Sequence, residues 1–147
     1  MAGIYIHIPF CKKACTYCDF HFTTSTKYIN EMVDAICLEI KLKKYRLADQ
    51  QVGSIYFGGG TPSVLSSASL EKIFNTLTEN FSISDNAEIT IEANPDDLDS
   101  KKIAELRQFP INRFSIGIQS FFNEDLIWMN RAHTATEAES CIKRSQD

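Results

Sequence analysis

The chain alternates short β-branched and aromatic runs with longer segments in which apolar residues recur at helical spacing. Ile4-Tyr5-Ile6-His7-Ile8 is the first such run and reads as a strand. Over about 28–45, Ile29, Met32, Val33, Ile36 and Ile40, with Leu47 at the margin, follow helical spacing. Ser54-Ile55-Tyr56-Phe57 predicts a second strand that ends at three glycines, Gly58, Gly59 and Gly60. A helix over about 68–80 follows, with Leu70, Ile73, Phe74 and Leu77 on one side. Strand three is predicted over 88–93 and closes at Asn94-Pro95. Asp99 or Ser100 can cap the next helix, which carries Ile103, Leu106 and Arg107. Strand four is expected over 112–118 and a short helix over 125–129. Thr134 followed by Glu137 has the form of a capping box, opening a last helix to about residue 143.

Four β–α units in succession predict an α/β fold of parallel strands with helical crossovers. The residues with chemical potential fall just after strands: the cysteines after the first, the glycines after the second, Glu92-Ala93-Asn94-Pro95 after the third and Gln119 after the fourth. In a barrel or partial barrel that is the face where active sites are built. An open flavodoxin-like sheet is the alternative, since strand order is not written in the periodicity.

Composition narrows the class. The 147 residues are 44% hydrophobic, enough for one domain with a core. A net charge of −4 argues against a general nucleic-acid surface, and Lys41, Lys43, Lys44 and Arg46 read as the solvated side of a helix. No apolar run reaches the ~18 residues of a membrane span. The five cysteines are an odd number and no signal-peptide pattern precedes the first strand. A disulfide framework is therefore not expected, and a cytoplasmic setting is.

Cys11, Cys15 and Cys18 are separated by three and then two residues in one short loop. Thiolates select iron–sulfur clusters, zinc or copper(I) over hard cations. Three thiolates can hold three irons of a four-iron cluster and leave the fourth iron open to a ligand. Zinc, with His7 or Cys37 as a fourth ligand, and buried inert thiols are the other readings of the spacing. The glycines lack the lysine of a phosphate-binding loop and match no dinucleotide fingerprint. They let backbone approach a ligand, or simply make a tight turn. Glu92 can accept from ribose hydroxyls or an amino group, or be solvated. Gln119 has the donor and acceptor a nucleoside needs, and Arg131 can pair with a carboxylate or sit exposed. His7 is a core or a functional histidine, while His21 and His133 have no metal-ligand spacing. Cys37 and Cys141 are expected to pack, as are Phe109, Phe114, Phe121, Phe122 and Trp128.

The segments 4–20, 55–63, 89–98 and 112–121 together resemble the radical S-adenosylmethionine (SAM) enzymes. Tyr5-Ile6-His7-Ile8-Pro9-Phe10-Cys11 and Tyr17-Cys18-Asp19-Phe20 are the most specific stretches. The likeness is to the coproporphyrinogen-dehydrogenase-like branch, which holds both HemN-type dehydrogenases and HemW-type heme chaperones. It implies that Cys11, Cys15 and Cys18 ligate a [4Fe-4S] cluster whose open iron is chelated by the amino and carboxylate groups of SAM. It further implies a SAM site in which Tyr5 lies beside the methionine moiety and Tyr17 sits in the cluster loop. Gly59, Gly60 and Thr61 would line the methionine amino end, with Glu92, Gln119 and Arg131 on the nucleoside and carboxylate. The chemistry of the family is reductive cleavage of SAM to methionine and a 5′-deoxyadenosyl radical that abstracts hydrogen.

Within the branch, Phe20 stands where the dehydrogenases resembling HemN have a further cysteine, and the first strand begins almost at Met1. Both features favour the heme-chaperone side, although such sequences often carry the label oxygen-independent coproporphyrinogen III oxidase. The resemblance implies heme or a porphyrinogen as small-molecule partner of the longer form, an electron donor and a heme-accepting protein. Dehydrogenation of coproporphyrinogen III and a non-radical zinc module are the competing functions, and no hydrogen-abstraction partner residue is assigned. The family's partial TIM barrel has six units, so residues 1–147 read as its N-terminal four, without the later strands and C-terminal domain.

Overall fold

The computed structural model describes residues 1–47 and 50–146. Asp147, the last residue of the expected domain, lies outside the described residues. The elements are β1 (Ala2–Ile8), α1 (Ile29–Lys43), β2 (Val52–Gly59), α2 (Ser67–Asn80), β3 (Ile83–Ala93), α3 (Ser100–Leu106), β4 (Arg113–Ile116), α4 (Asn123–Trp128) and α5 (Ala135–Gln146). Short 3₁₀ turns follow α1 at Lys44–Leu47 and β2 at Pro62–Val64.

The four strands form one sheet in the order β1-β2-β3-β4, and every adjacent pair is parallel. A flavodoxin-like sheet would place its first strand between the second and third, so that alternative is excluded. Sequential order, with crossovers of one hand, steps each helix along the same side of the sheet, as in a barrel wall.

Alternation along the strands then divides the sheet into two faces. Ile6, Ile8, Ile55, Phe57, Ile89 and Ile91 are buried on the helical side. They pack with Leu70, Ile73 and Leu77 of α2 and with Ile103 and Leu106 of α3. Burying each of the larger side chains stabilises the fold by roughly 1.5–3 kcal/mol. The other face carries Tyr5, Tyr56, Thr90 and Arg113 as one cross-strand row, because Tyr5 pairs with Tyr56, Tyr56 with Thr90 and Thr90 with Arg113.

Local signals set the helix starts. Ser66 Oγ accepts from the Ser69 N–H at 3.2 Å, and Asp99 Oδ1 accepts from the Lys102 N–H at 2.7 Å. The Thr134–Glu137 capping box forms in both directions, at 2.7 and 3.3 Å. Cys37 and Cys141 are buried in the packing.

Three details differ from the periodicity. The third strand begins at Ile83, since Ile83 pairs with Val52 before a register irregularity. The fourth strand ends at Ile116, where the Gly117 N–H donates to Ala93 O and the chain turns away. Phe121, Phe122 and Trp128, expected in the core, are exposed. Phe121 and Phe122 lead into α4 and Trp128 ends it, and that short helix buries only Leu126.

Candidate functional site

The loop after β1 is closed at its base by backbone pairing. Cys11 N–H donates to Thr23 O at 3.0 Å and Thr23 N–H to Pro9 O at 2.8 Å. Inside this closure the Cys18 N–H donates to Cys15 O at 3.2 Å and makes a tight turn. The loop is held from outside by the chain that follows α4. Thr16 donates through its N–H to Met129 O and through Oγ1 to Trp128 O, Asn130 Nδ2 donates to Ala14 O, and Lys13 Nζ to Arg131 O. Lys12 forms an ion pair with the buried Asp97, which also accepts from Ser63 Oγ at 2.8 Å. Five anchors thus fix a loop that has no regular structure of its own.

The glycines bring the end of β2 against this loop. Thr61 N–H donates to Phe10 O at 2.7 Å, and Gly60 N–H to Ile8 O at 2.8 Å. A Cβ on Gly60 would stand 2.7 Å from Phe10 O and 3.0 Å from Cys11 Sγ, too close for any other residue without backbone movement. Gly59 has φ 114°, a conformation side chains strain to adopt.

Glu92, at the end of β3, has both oxygens engaged. Oε1 accepts from the Tyr56 hydroxyl at 2.7 Å and Oε2 from the Gly59 N–H at 3.1 Å. Gln119 follows β4 in a left-handed conformation, φ 65°. The preceding carbonyl, Ile118 O, accepts from Nε2 of the buried His133 at 3.0 Å. Burial holds the His133 ring below its ordinary pKa, assisted by Arg131, while Asp96 and Glu137 oppose the shift. Arg131 Nη1 donates to Cys15 Sγ and to Tyr17 Oη, both at 3.3 Å; Nη2 donates to Asn94 Oδ1 and Gly117 O, both at 2.7 Å. Its buried Nε has no hydrogen-bond partner among the described residues.

These groups surround one cavity of about 340 Å³. Cys11, Cys15, Cys18, Tyr17, Gly59, Gly60, Thr61, Glu92, Gln119 and Arg131 all line it. Tyr5 does not. It lies one pleat below the strand end, its ring stacked on Tyr56 with centroids 6.1 Å apart and its hydroxyl 3.1 Å from His7 Nδ1. His7 is likewise on the exposed side of β1 and away from the core.

Burial pushes the Cys11 thiol above its ordinary pKa, and the Thr61 hydroxyl donating to its sulfur at 3.5 Å works the other way. The Tyr17 phenol is also raised by burial, against the Arg131 charge. Two of the three sulfurs thus face hydrogen-bond donors, the surroundings of a thiolate ligand. Among the described residues, no three His, Cys, Asp or Glu side chains converge on a single metal-ion position. One zinc would need its thiolates within about 2.3 Å of one point, whereas a cubane is gripped at separate corners. Three thiolates in one loop, two of them facing hydrogen-bond donors, are a donor set that could hold such a cluster.

Sequence reasoning assigned no functional role to Tyr56, Asp97, Asn130 or His133, the last weighed only as a metal ligand. Each acts by holding another residue, and only the fold shows which. Asn94, noted as closing strand three, proves to join Arg131 to Thr61, donating to Thr61 Oγ1 at 3.1 Å.

A family model described as the Radical SAM superfamily matches residues 5–147. The heme chaperone HemW of Buchnera aphidicola subsp. Schizaphis graminum is 39% identical over 138 residues, which is 92% of this chain and 37% of that protein. HemW of Escherichia coli K12 is 32% identical over 147 residues, 96% of this chain and 38% of that protein. The chain therefore spans little more than a third of the length of these relatives. The solved structure of E. coli coproporphyrinogen III oxidase (HemN), described as a radical SAM enzyme, superposes with TM-score 0.89 at 29% identity, over 98% of this chain and 34% of that one. Among the described residues no helix is long and apolar enough to cross a membrane.

Proposed function

The chain belongs to the radical SAM superfamily, and from that premise we propose that Cys11, Cys15 and Cys18 hold a [4Fe-4S] cluster with one open iron, and that SAM binds there. The observation that carries this reading is the single cavity in which all three cysteines meet residues from the ends of β2, β3 and β4. When bound, the pair supplies reductive cleavage of SAM to methionine and a 5′-deoxyadenosyl radical.

The residues present divide the work of holding that ligand. Gly59, Gly60 and Thr61 let backbone and a hydroxyl approach the methionine end. Glu92, oriented by Tyr56 and Gly59, and Gln119 face the nucleoside. Arg131 contributes fixed positive charge near the carboxylate. Tyr5 supports this floor through Tyr56 and reaches SAM only if its ring leaves that stack. On this reading residues 1–147 form the N-terminal part of the radical SAM core, a placement that rests on the family resemblance, and the relatives' coverage supports only that they are longer.

At the next level the chain serves as part of a HemW-like heme chaperone in the cytoplasm. It would bind heme in its longer form, take electrons from an external donor and pass heme to an acceptor protein. The HemW relatives support this, as does Phe20 after the third cysteine. The likeness to HemN supports a second reading, dehydrogenation of coproporphyrinogen III. The two separate cleanly in the intact protein with cluster, SAM and reductant. The chaperone reading expects a saturable heme absorbance titration and no carbon dioxide from coproporphyrinogen III. Sustained decarboxylation would overturn it in favour of the enzyme.

A further inference from the structure

Two of the candidate cluster thiolates receive hydrogen bonds, and the two donors are joined through one side chain. Asn94 Oδ1 accepts from Arg131 Nη2 at 2.7 Å, while Asn94 Nδ2 donates to Thr61 Oγ1 at 3.1 Å. A hydroxyl has one proton. Because Thr61 Oγ1 accepts from Asn94, that proton is free for Cys11 Sγ at 3.5 Å. Arg131 obeys similar accounting. Asn94 Oδ1 and Gly117 O occupy both protons of Nη2 and lock the guanidinium plane. Nη1 is thereby turned toward Cys15 Sγ and Tyr17 Oη, both at 3.3 Å. Gly117 makes room for the clamp, since a Cβ there would stand 2.9 Å from Asn94 Oδ1. Only a side chain with both an acceptor and a donor end can serve both partners, which is what an amide provides.

We propose that Asn94 is a positioning residue that aims Arg131 and Thr61 at the Cys15 and Cys11 sulfurs, and that this relay raises the reduction potential of the bound cluster. The inference rests on the three-thiolate reading above. Reduction adds one negative charge to the cluster, shared with its sulfurs. Hydrogen bonds to those sulfurs, and a guanidinium that never loses its charge, stabilise the reduced form more than the oxidised one. The relay acts through Arg131 and Thr61, since the hydrogen bonds of the Asn94 side chain go to those two residues.

The test is a redox titration of the reconstituted intact protein, followed by electron paramagnetic resonance, with iron content measured on each sample. Asn94→Ala is expected to keep its cluster and to lower the reduced-to-oxidised ratio at a fixed potential about tenfold, or 59 mV for a one-electron couple. Thr61→Val, which keeps shape and removes the Cys11 bond together with the acceptor for Asn94 Nδ2 but leaves the Asn94–Arg131 bond in place, is expected to shift the ratio in the same direction by less. If Asn94→Ala loses iron, the Thr61→Val shift alone decides. Unchanged potentials at full iron content would overturn the relay and leave the cluster reading intact. A wild-type protein that takes up no cluster would overturn both.

Discussion

Successive residues of the same strands live in two environments. On the helical side, Ile8, Ile55, Phe57 and Ile91 have no exposed surface and no polar partner to satisfy. On the opposite side, Tyr5, His7, Tyr56, Glu92 and Arg113 are tied to neighbours on their own or adjacent strands by hydrogen bonds. The first face is held by burial, which is non-directional and tolerates exchange among apolar shapes. The second is held by pairs with defined donors and acceptors, where one lost atom leaves its partner unsatisfied. Stability therefore concentrates beneath the helices and positioning concentrates across the sheet. The two meet at the carboxyl ends of the strands, where Gly59 and Gly60 pass between them.

Substitutions can break this division in graded steps. Phe57→Ala removes a fully buried ring that packs 5.3 Å from Phe74, centroid to centroid. It should cost about 3–5 kcal/mol in chemical denaturation while leaving the SAM response of the folded fraction unchanged. Gly60→Ala should cost about 1–3 kcal/mol and, unlike Phe57→Ala, reduce iron uptake, because the added Cβ presses on the Phe10 backbone and Cys11 Sγ together. Tyr56→Phe should change stability by about 1 kcal/mol or less. It should nevertheless weaken SAM binding several-fold in a calorimetric titration, since Glu92 loses the donor on Oε1. Loss of stability without loss of affinity in that variant would contradict the division of faces.

The smallest expected effect is in pH. His133 is held neutral in the fold, with its pKa depressed by burial and by Arg131. Below its unfolded pKa of about 6.5 the unfolded chain binds the proton more readily. Its contribution is thus present above that pH and lost as pH falls through the folded value. Denaturation midpoints between pH 7 and 5 should decline modestly, and His133→Gln should flatten that part of the profile.

The apolar face was legible in the sequence because a period of two or of 3.6 needs only one residue's chemistry at a time. The capping residues Ser66, Asp99 and Thr134 lie beside the helices they start, and the last two are visible for the same reason. The cysteines, the glycines, Glu92 and Gln119 were legible by falling after strands. What was hidden depends on pairs distant in sequence. Tyr56 matters through Glu92, Asp97 through Lys12, His133 through Ile118, and Asn94 through both Arg131 and Thr61. Tyr5 shows the converse case. Its motif places it in the site, yet its position one pleat below the strand end sets its ring on Tyr56. The exposed rings beside and on α4 are the other miss: Phe121 and Phe122 precede the helix and Trp128 ends it, and of its six residues only Leu126 is buried.

On the proposed reading, the thiolates of Cys11, Cys15 and Cys18 grip a cluster with one iron left for SAM. Anaerobic reconstitution followed by low-temperature electron paramagnetic resonance of the reduced protein, with and without SAM, tests it most directly. Expected are about four irons per chain, a reduced-cluster signal that changes when SAM is added, and loss of both in Cys15→Ala. One tightly bound zinc in place of iron, or a cluster signal indifferent to SAM, would contradict that reading.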